Sequence, residues 1–274
     1  MDHKALWGLS LQSTAQWHLA TGGTGLHVSY GVAIKWIPIR TDWLLAMTLL
    51  ERSRSRGARS PPTQVRLATP ADSTFLAQII LRAGRSHLAK GYWDLVVEDD
   101  ADDRLDLIEL LTVLDARSSC HYSGFHVATV NGVPAGAATG YDPFAEGFVD
   151  AGHALAEGFD FLEWSADQVS AAYTRLEPFT ACLPQFSRGA WVVEWVAVMS
   201  GFRGIGVAGR VLAEVIEAGR SRGYHLAQVA AYIGNESATA AYRRLGFTPT
   251  EEMRHPDFQR ALGSPGMILM AMDL

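Results

Sequence analysis

The chain has 274 residues, 48% of them apolar, and a formal net charge of −6. This supports a sizeable core and excludes a uniformly basic nucleic-acid-binding surface. Cys120 and Cys182 form no C-x-x-C pattern, and no Cys/His cluster has zinc-ligand spacing, which points to reduced thiols in a cytoplasmic protein without a metal. The most apolar N-terminal stretch, Trp43 to Leu50, falls far short of the roughly 20 residues a membrane helix needs. No signal peptide is evident. Neither nucleic acid nor membrane is expected as a partner.

Residues 1–64 carry scattered tryptophans (Trp7, Trp17, Trp36, Trp43) and, apart from a short helical stretch at 42–52, no sustained period. They end in Arg52-Ser53-Arg54-Ser55-Arg56-Gly57-Ala58-Arg59-Ser60-Pro61-Pro62. That run reads as a basic linker, since no aromatic platform for nucleic acid interleaves it. The expectation is a poorly ordered extension, with Met47 or a position near Val65 as candidate starts of the folded protein.

Ordered structure is expected over 65–274. Gln64 to Ala68 reads as a strand, and Thr69-Pro70-Ala71-Asp72 opens a helix running to about Ala83. A second helical pattern lies in 92–118, clearest at Leu105, Ile108, Leu111 and Leu114. The preceding Asp99, Asp100, Asp102 and Asp103 read as an N-terminal cap, because the glycine and distal Glu of a calcium loop are missing. Strands 125–130 and 133–141 flank Asn131-Gly132, a type I′ hairpin signal. Residues 142–188 form an irregular insert with helical stretches near 149–155 and 161–176. There follow strand 191–198, helix 206–222, strand 226–232, helix 236–245 and strands near 247–253 and 266–272. A hairpin first and crossover units later imply an α/β layered fold with a mixed sheet.

The glycine run Gly204-Ile205-Gly206-Val207-Ala208-Gly209 sits between strand 191–198 and helix 206–222. A strand, a glycine turn and a helix N-terminus aim backbone amides at one spot, which favours phosphate. The run matches G-x-G-x-x-G, but a dinucleotide fold places its first glycine directly after the strand and an acid at the end of the next one. Here Ser200 to Arg203 intervene, and the next strand ends in Ala230-Ala231-Tyr232-Ile233-Gly234. No Gly-Lys-Ser/Thr closes the run, so a P-loop is excluded.

A second motif follows, from Asn235 to Phe247. Asn235 is an N-cap and Gly246 a C′ glycine, with Ala238, Ala241, Tyr242 and Leu245 on one helical face. Together, Arg203-x-x-Gly206-x-Ala208 and Asn235-x-x-Ala238-x-x-x-Tyr242-x-x-x-Gly246-Phe247 resemble motifs A and B of the GNAT family, the acyl-CoA N-acyltransferases. The resemblance in element order runs from about Gln64 to Leu274, with 142–188 an insert and 1–64 outside it.

The resemblance implies a mixed, mostly antiparallel central sheet with a splayed strand pair and flanking helices. It implies acetyl-CoA as cosubstrate and no metal. Arg203, Gly204, Ile205, Gly206, Val207 and Ala208 would wrap the pyrophosphate, Val196, Ala197 and Val198 would hydrogen-bond the pantetheine arm, and Asn235 and Tyr242 would contact the cofactor from the other side. Arg210 would neutralise phosphate or be a solvated helix residue. Tyr242 matches the family tyrosine that protonates the leaving thiolate, the alternative being cofactor packing by its ring. Glu194 is the candidate base, the alternative being an outward-facing or ion-paired carboxylate; strand phase decides between them. His126 is a further candidate base.

The reaction implied is acetyl transfer to a primary amine on a small molecule or peptide. A non-catalytic acyl-CoA-binding module is the alternative, and a homodimer is the candidate assembly. The acceptor site is expected at about 83–93, 141–148 and 255–266, with Asp94, Asp142 and Glu146 as candidate attractors of a cation. The insert aromatics Phe144, Phe148, Phe159, Phe161 and Trp164 would form either a satellite core or an apolar lid.

Overall fold

The computed structural model describes residues 62–98 and 100–274. Of the expected extension, residues 1–61 lie outside the described residues, as does Asp99. Seven strands form one sheet: β1 (Thr63–Leu67), β2 (Phe125–Val130), β3 (Val133–Tyr141), β4 (Ala190–Val198), β5 (Leu226–Tyr232), β6 (Thr248–Arg254) and β7 (Gly266–Asp273). Their spatial order is β1-β2-β3-β4-β5-β7-β6. Every neighbouring pair is antiparallel except β4–β5, which is parallel, so the expected mixed, mostly antiparallel sheet is the one observed.

Turn chemistry sets the hairpin. Asn131 and Gly132 both hold positive φ, 52° and 80°, as a type I′ turn between right-twisted strands requires. Two helices precede the hairpin on the sheet's cleft side: α1 (Ser73–Arg85) and α2 (Tyr92–Val96), followed by α3 (Ala101–Leu111). The acidic run is a cap, as read from the sequence, with Asp100 accepting from the amides of Asp102 and Asp103.

The insert holds α4 (Ala151–Phe161) and α5 (Ala166–Thr180), displaced from the expected 149–155 and 161–176. The break falls at Glu163, with φ 55°, and the restart is a capping box in which Ser165 and Gln168 bond each other's amides. Phe159 is buried, stacks on Trp164 at 4.4 Å and meets Tyr173 edge-on, while Phe161 lies exposed. The insert aromatics therefore divide, and the satellite-core reading holds for Phe159 and Trp164. Gly158 lets α4 approach α3, since a Cβ there would meet Leu107 at 3.0 Å.

On the other face lies α6 (Val207–Ser221), which buries Val207, Val211, Leu212, Val215 and Ile216 against β2, β3 and β4. Each such side chain contributes about 1.5–3 kcal/mol on burial. Trp191 of β4 anchors this layer by donating its Nε1–H to the Val215 carbonyl at 2.9 Å. Its ring fills the space beside Gly140 and Gly219, where a Cβ would come within 2.6 Å. The chain closes with α7 (Glu236–Leu245) and α8 (Pro256–Leu262) around the β6–β7 edge. No helix of the described residues is long and apolar enough to cross a membrane.

The central feature of the sheet is where β4 and β5 stop pairing. Their ladder covers Ala190–Val193 against Leu226–Val229 and ends there. Beyond it, β4 keeps β3 through Val198–Gly136, and β5 keeps β7 through Tyr232–Met267. The facing edges of 194–198 and 230–232 are left open to each other. A bulge reinforces the splay: between the Ala137–Ala197 and Thr139–Glu194 pairs, β4 carries one more residue than β3. Trp195 lies there with φ 49°.

Candidate active site

The open edges of β4 and β5 enclose a cavity of about 640 Å³. It is lined by both sequence motifs at once: Val196–Val198, Arg203, Gly204, Gly206–Ala208, Asn235 and Tyr242 all face it, as does Glu194. Ile205 and Arg210 do not; Arg210 instead donates to the Thr63 carbonyl at 3.3 Å, tying α6 to β1.

The end of the cavity at the start of α6 is built from backbone. Gly204 and Gly206 have φ of 79° and 88°, and a Cβ built on either meets no protein atom within 4 Å. These glycines relieve a left-handed backbone and keep the space above it clear. Gly206 is also the N-cap of α6, so the positive end of the helix points into the same space. Arg203 lines the cavity and folds back so that its Nε–H donates to the Val198 carbonyl at 3.5 Å.

Asn235 caps α7, its Oδ1 accepting from the Ala238 amide at 3.1 Å, while its Nδ2–H donates to Ser86 Oγ at 2.5 Å. The cap expected from the sequence thus also ties α7 to the α1–α2 connection. That connection is held down twice more, by Tyr232 donating to the Gly84 carbonyl at 2.8 Å and by Asp94. Asp94 accepts from Arg85 at 2.6 and 2.9 Å and from the Gly91 amide, and lies 3.4 Å from buried Arg104. Burial pushes its carboxyl up, but the Arg85 bonds, the Gly91 amide and the two guanidinium charges outweigh that and hold it below the ordinary aspartate range. Asp94 is therefore a structural ion-pair partner and not an attractor of substrate.

Strand phase is settled by the bulge. Glu194 faces the cavity and accepts a hydrogen bond from the Tyr141 hydroxyl at 2.7 Å. Burial raises its carboxyl above the ordinary glutamate value, and bonds from Tyr141 and Ser119 pull it part of the way back. Ser119 Oγ also accepts from Trp195 Nε1–H at 3.1 Å. The sequence placed Tyr141 only at the start of an expected acceptor segment and gave no sign of its bond to Glu194 or of Ser119, because each meets Glu194 only through the β3–β4 pairing and the packing of a distant turn.

Tyr242 is 6% exposed and lines the cavity. Burial and the charge of Glu194 hold its phenol well above the ordinary tyrosine value. Its ring meets Phe247 edge-on at 6.0 Å, and its hydroxyl has no hydrogen-bond partner among the described residues.

Three expectations are corrected. His126 lies away from the cavity, with its Nδ1 buried and unpartnered and its basicity lowered by burial and Arg222. Segments 141–148 and 255–266 do not line the cavity; Asp142 instead accepts from the Tyr224 hydroxyl at 3.0 Å, and Glu146 is exposed. The far wall comes partly from the expected 83–93 segment, which supplies Tyr92 of α2, and partly from elements not expected there, Phe179 of α5 and Met267 of β7.

Fold and cleft together define an acyltransferase-type architecture, with a parallel strand pair splayed above a glycine-rich helix start. Residues 88–247 match the model of the acetyltransferase (GNAT) family, more than half of the chain, and the chain belongs to that family. Among solved structures it is similar to an acetyltransferase at 19% identity, covering 77% of this chain and 98% of that one with a TM-score of 0.56. It is also similar to an N-acetyltransferase from Staphylococcus aureus Mu50 at 19% identity, covering 77% and 100% with a TM-score of 0.53. No curated protein matches the sequence.

Proposed function

We propose that the chain transfers the acetyl group of acetyl-CoA to a primary amine by direct attack in a ternary complex. The observation that carries this reading is the presence in one cavity of Glu194 and Tyr242, two titrating groups suited to opposite tasks. Acetyl-CoA, when bound, supplies an activated thioester carbonyl. The cradle fits it: the open space at Gly204 and Gly206 accommodates a pyrophosphate, and the unpaired edge of Val196–Val198 offers N–H and C=O groups to an extended amide chain, as an added strand would use them.

Glu194 takes a proton from the arriving ammonium, directly or through one water. A carboxyl raised by burial is a better base near neutral pH than an ordinary one. Tyr141 and Ser119 fix its orientation. Tyr242, kept protonated and with its hydroxyl uncommitted, donates to the leaving sulfur.

Thiol release measured with acetyl-CoA and a panel of amines tests this. Release is expected to need both partners, and Tyr242→Phe to lower kcat by about 10²-fold while the affinity for acetyl-CoA stays within about twofold. Binding of CoA with no acceptor-dependent release would instead favour a non-catalytic acyl-CoA-binding module.

A further inference from the structure

Beyond Glu194, the acceptor side of the cavity is a wall of rings. Tyr92 meets Phe179 edge-on at 4.9 Å, and Phe179 meets Tyr232 at 6.4 Å. Trp195 adds the β4 side, braced against Trp93 at 5.7 Å, and Met267 the β7 side. The polar ends of this wall are mostly committed elsewhere: the Tyr232 hydroxyl to the Gly84 carbonyl and Trp195 Nε1 to Ser119. With those two polar ends bonded inside the protein, Phe179, Tyr232 and Trp195 offer the cavity no free polar group, and Tyr92 completes the wall.

The charges are equally one-sided. Glu194 is the one carboxylate among the described residues lining the cavity, whereas Arg82, Arg203 and Arg244 all line it. A single ammonium can be matched at Glu194. A second cation would find no second carboxylate among the described residues of the lining and would be desolvated without a counter-charge.

From this we propose that the acceptor is a singly charged primary amine carried on an apolar, aromatic-sized group, with its nitrogen at Glu194 and its carrier against Tyr92, Phe179, Trp195 and Tyr232. Burial of the carrier drives binding, and ring–ring contacts add directional preference. The aromatic faces also attract the ammonium on its way to Glu194. The orientation rests on the base role proposed for Glu194; the preference for one charge and an apolar carrier does not.

Calorimetric binding of amines to the CoA-loaded protein, run beside thiol release with acetyl-CoA, tests the proposal. The probes are 2-phenylethylamine, n-octylamine, 1,4-diaminobutane and a lysine-containing peptide. 2-Phenylethylamine is expected to bind about tenfold or more tighter than 1,4-diaminobutane and to give the highest kcat/KM. Phe179→Leu, which keeps apolar volume and removes a ring, should lower the preference for 2-phenylethylamine over n-octylamine several-fold. Equal or tighter binding of the diamine or the peptide overturns the proposal. Tight binding of 2-phenylethylamine without its acetylation leaves the ligand class standing and refutes the transfer reaction instead.

Discussion

Replacing Tyr141 by Phe removes one hydroxyl and leaves the ring that stacks on Phe148 at 4.9 Å. That hydroxyl donates to Glu194 Oε2 at 2.7 Å at a half-buried position in the cavity wall. Hydrogen bonds to a charged group contribute about 1.5–3 kcal/mol, and a pKa unit corresponds to about 1.36 kcal/mol. Losing the bond should therefore raise the Glu194 carboxyl further above the ordinary glutamate value, with the Ser119 bond still opposing part of the rise. The sign is fixed: burial already lifts this carboxyl, the hydrogen bonds pull it down, and removing one lets it rise. A base acts when deprotonated, so the acidic limb of kcat/KM should move to higher pH, and at a fixed pH on that limb the variant should lose about tenfold or more, with activity recovering at high pH. The same shift lowers stability as pH climbs, since a carboxyl with a raised folded pKa stabilises the fold while protonated and loses that contribution above it. The assay is a pH–rate profile of wild type and variant at subsaturating amine. An unmoved acidic limb, or a fall of equal size at every pH, would refute the base role of Glu194 and its positioning by Tyr141.

Gly206→Val places a branched side chain at φ 88° in space that no protein atom occupies. It should cost about 1–2 kcal/mol of stability through backbone strain and weaken CoA about tenfold or more by filling the phosphate cradle, read by thermal denaturation and calorimetry. Asp94→Asn should destabilise by about 3 kcal/mol, because it leaves the buried Arg104 guanidinium without its counter-charge, measured as a urea midpoint. The Asp94 carboxyl is held below its ordinary 3.8, so its stabilisation is present above that value and fades as pH falls through the lower folded value. The variant should therefore show a shallower loss of stability in acid.

Local chemistry was legible wherever one residue type does one job. Asn131-Gly132 set the hairpin, Asn235 and Gly246 bounded α7, and the glycines of 204–206 marked the cradle. The α8 helix carried equally local signals, Pro256 at its first position and Gly263 with φ 84° after its end, but its single turn of apolar pattern is too short to read by period. The bulge at Trp195 was not legible, because an extra residue in a strand is defined only against its partner. For the same reason the sequence left open which way Glu194 faces and concealed its bond to Tyr141, a residue 53 positions away. The ring wall was hidden more deeply, since Tyr92, Phe179 and Tyr232 belong to three elements that meet only after the insert folds onto α2. Acidic residues near the expected acceptor segments misled in the other direction: Asp94 and Asp142 satisfy internal donors and, among the described residues, leave the cleft to a single carboxylate.

The central claim is that this cleft moves an acetyl group from a thioester to an amine with Glu194 as base and Tyr242 as acid. Its most direct test is mass-spectrometric detection of product when wild type, Glu194→Gln and Tyr242→Phe are each incubated with acetyl-CoA and 2-phenylethylamine. N-acetylated amine and free CoA formed in equal amounts by wild type, with both variants slowed yet still binding CoA, is the expected result. CoA binding with no acetylated amine from wild type, or undiminished product from both variants, would contradict it.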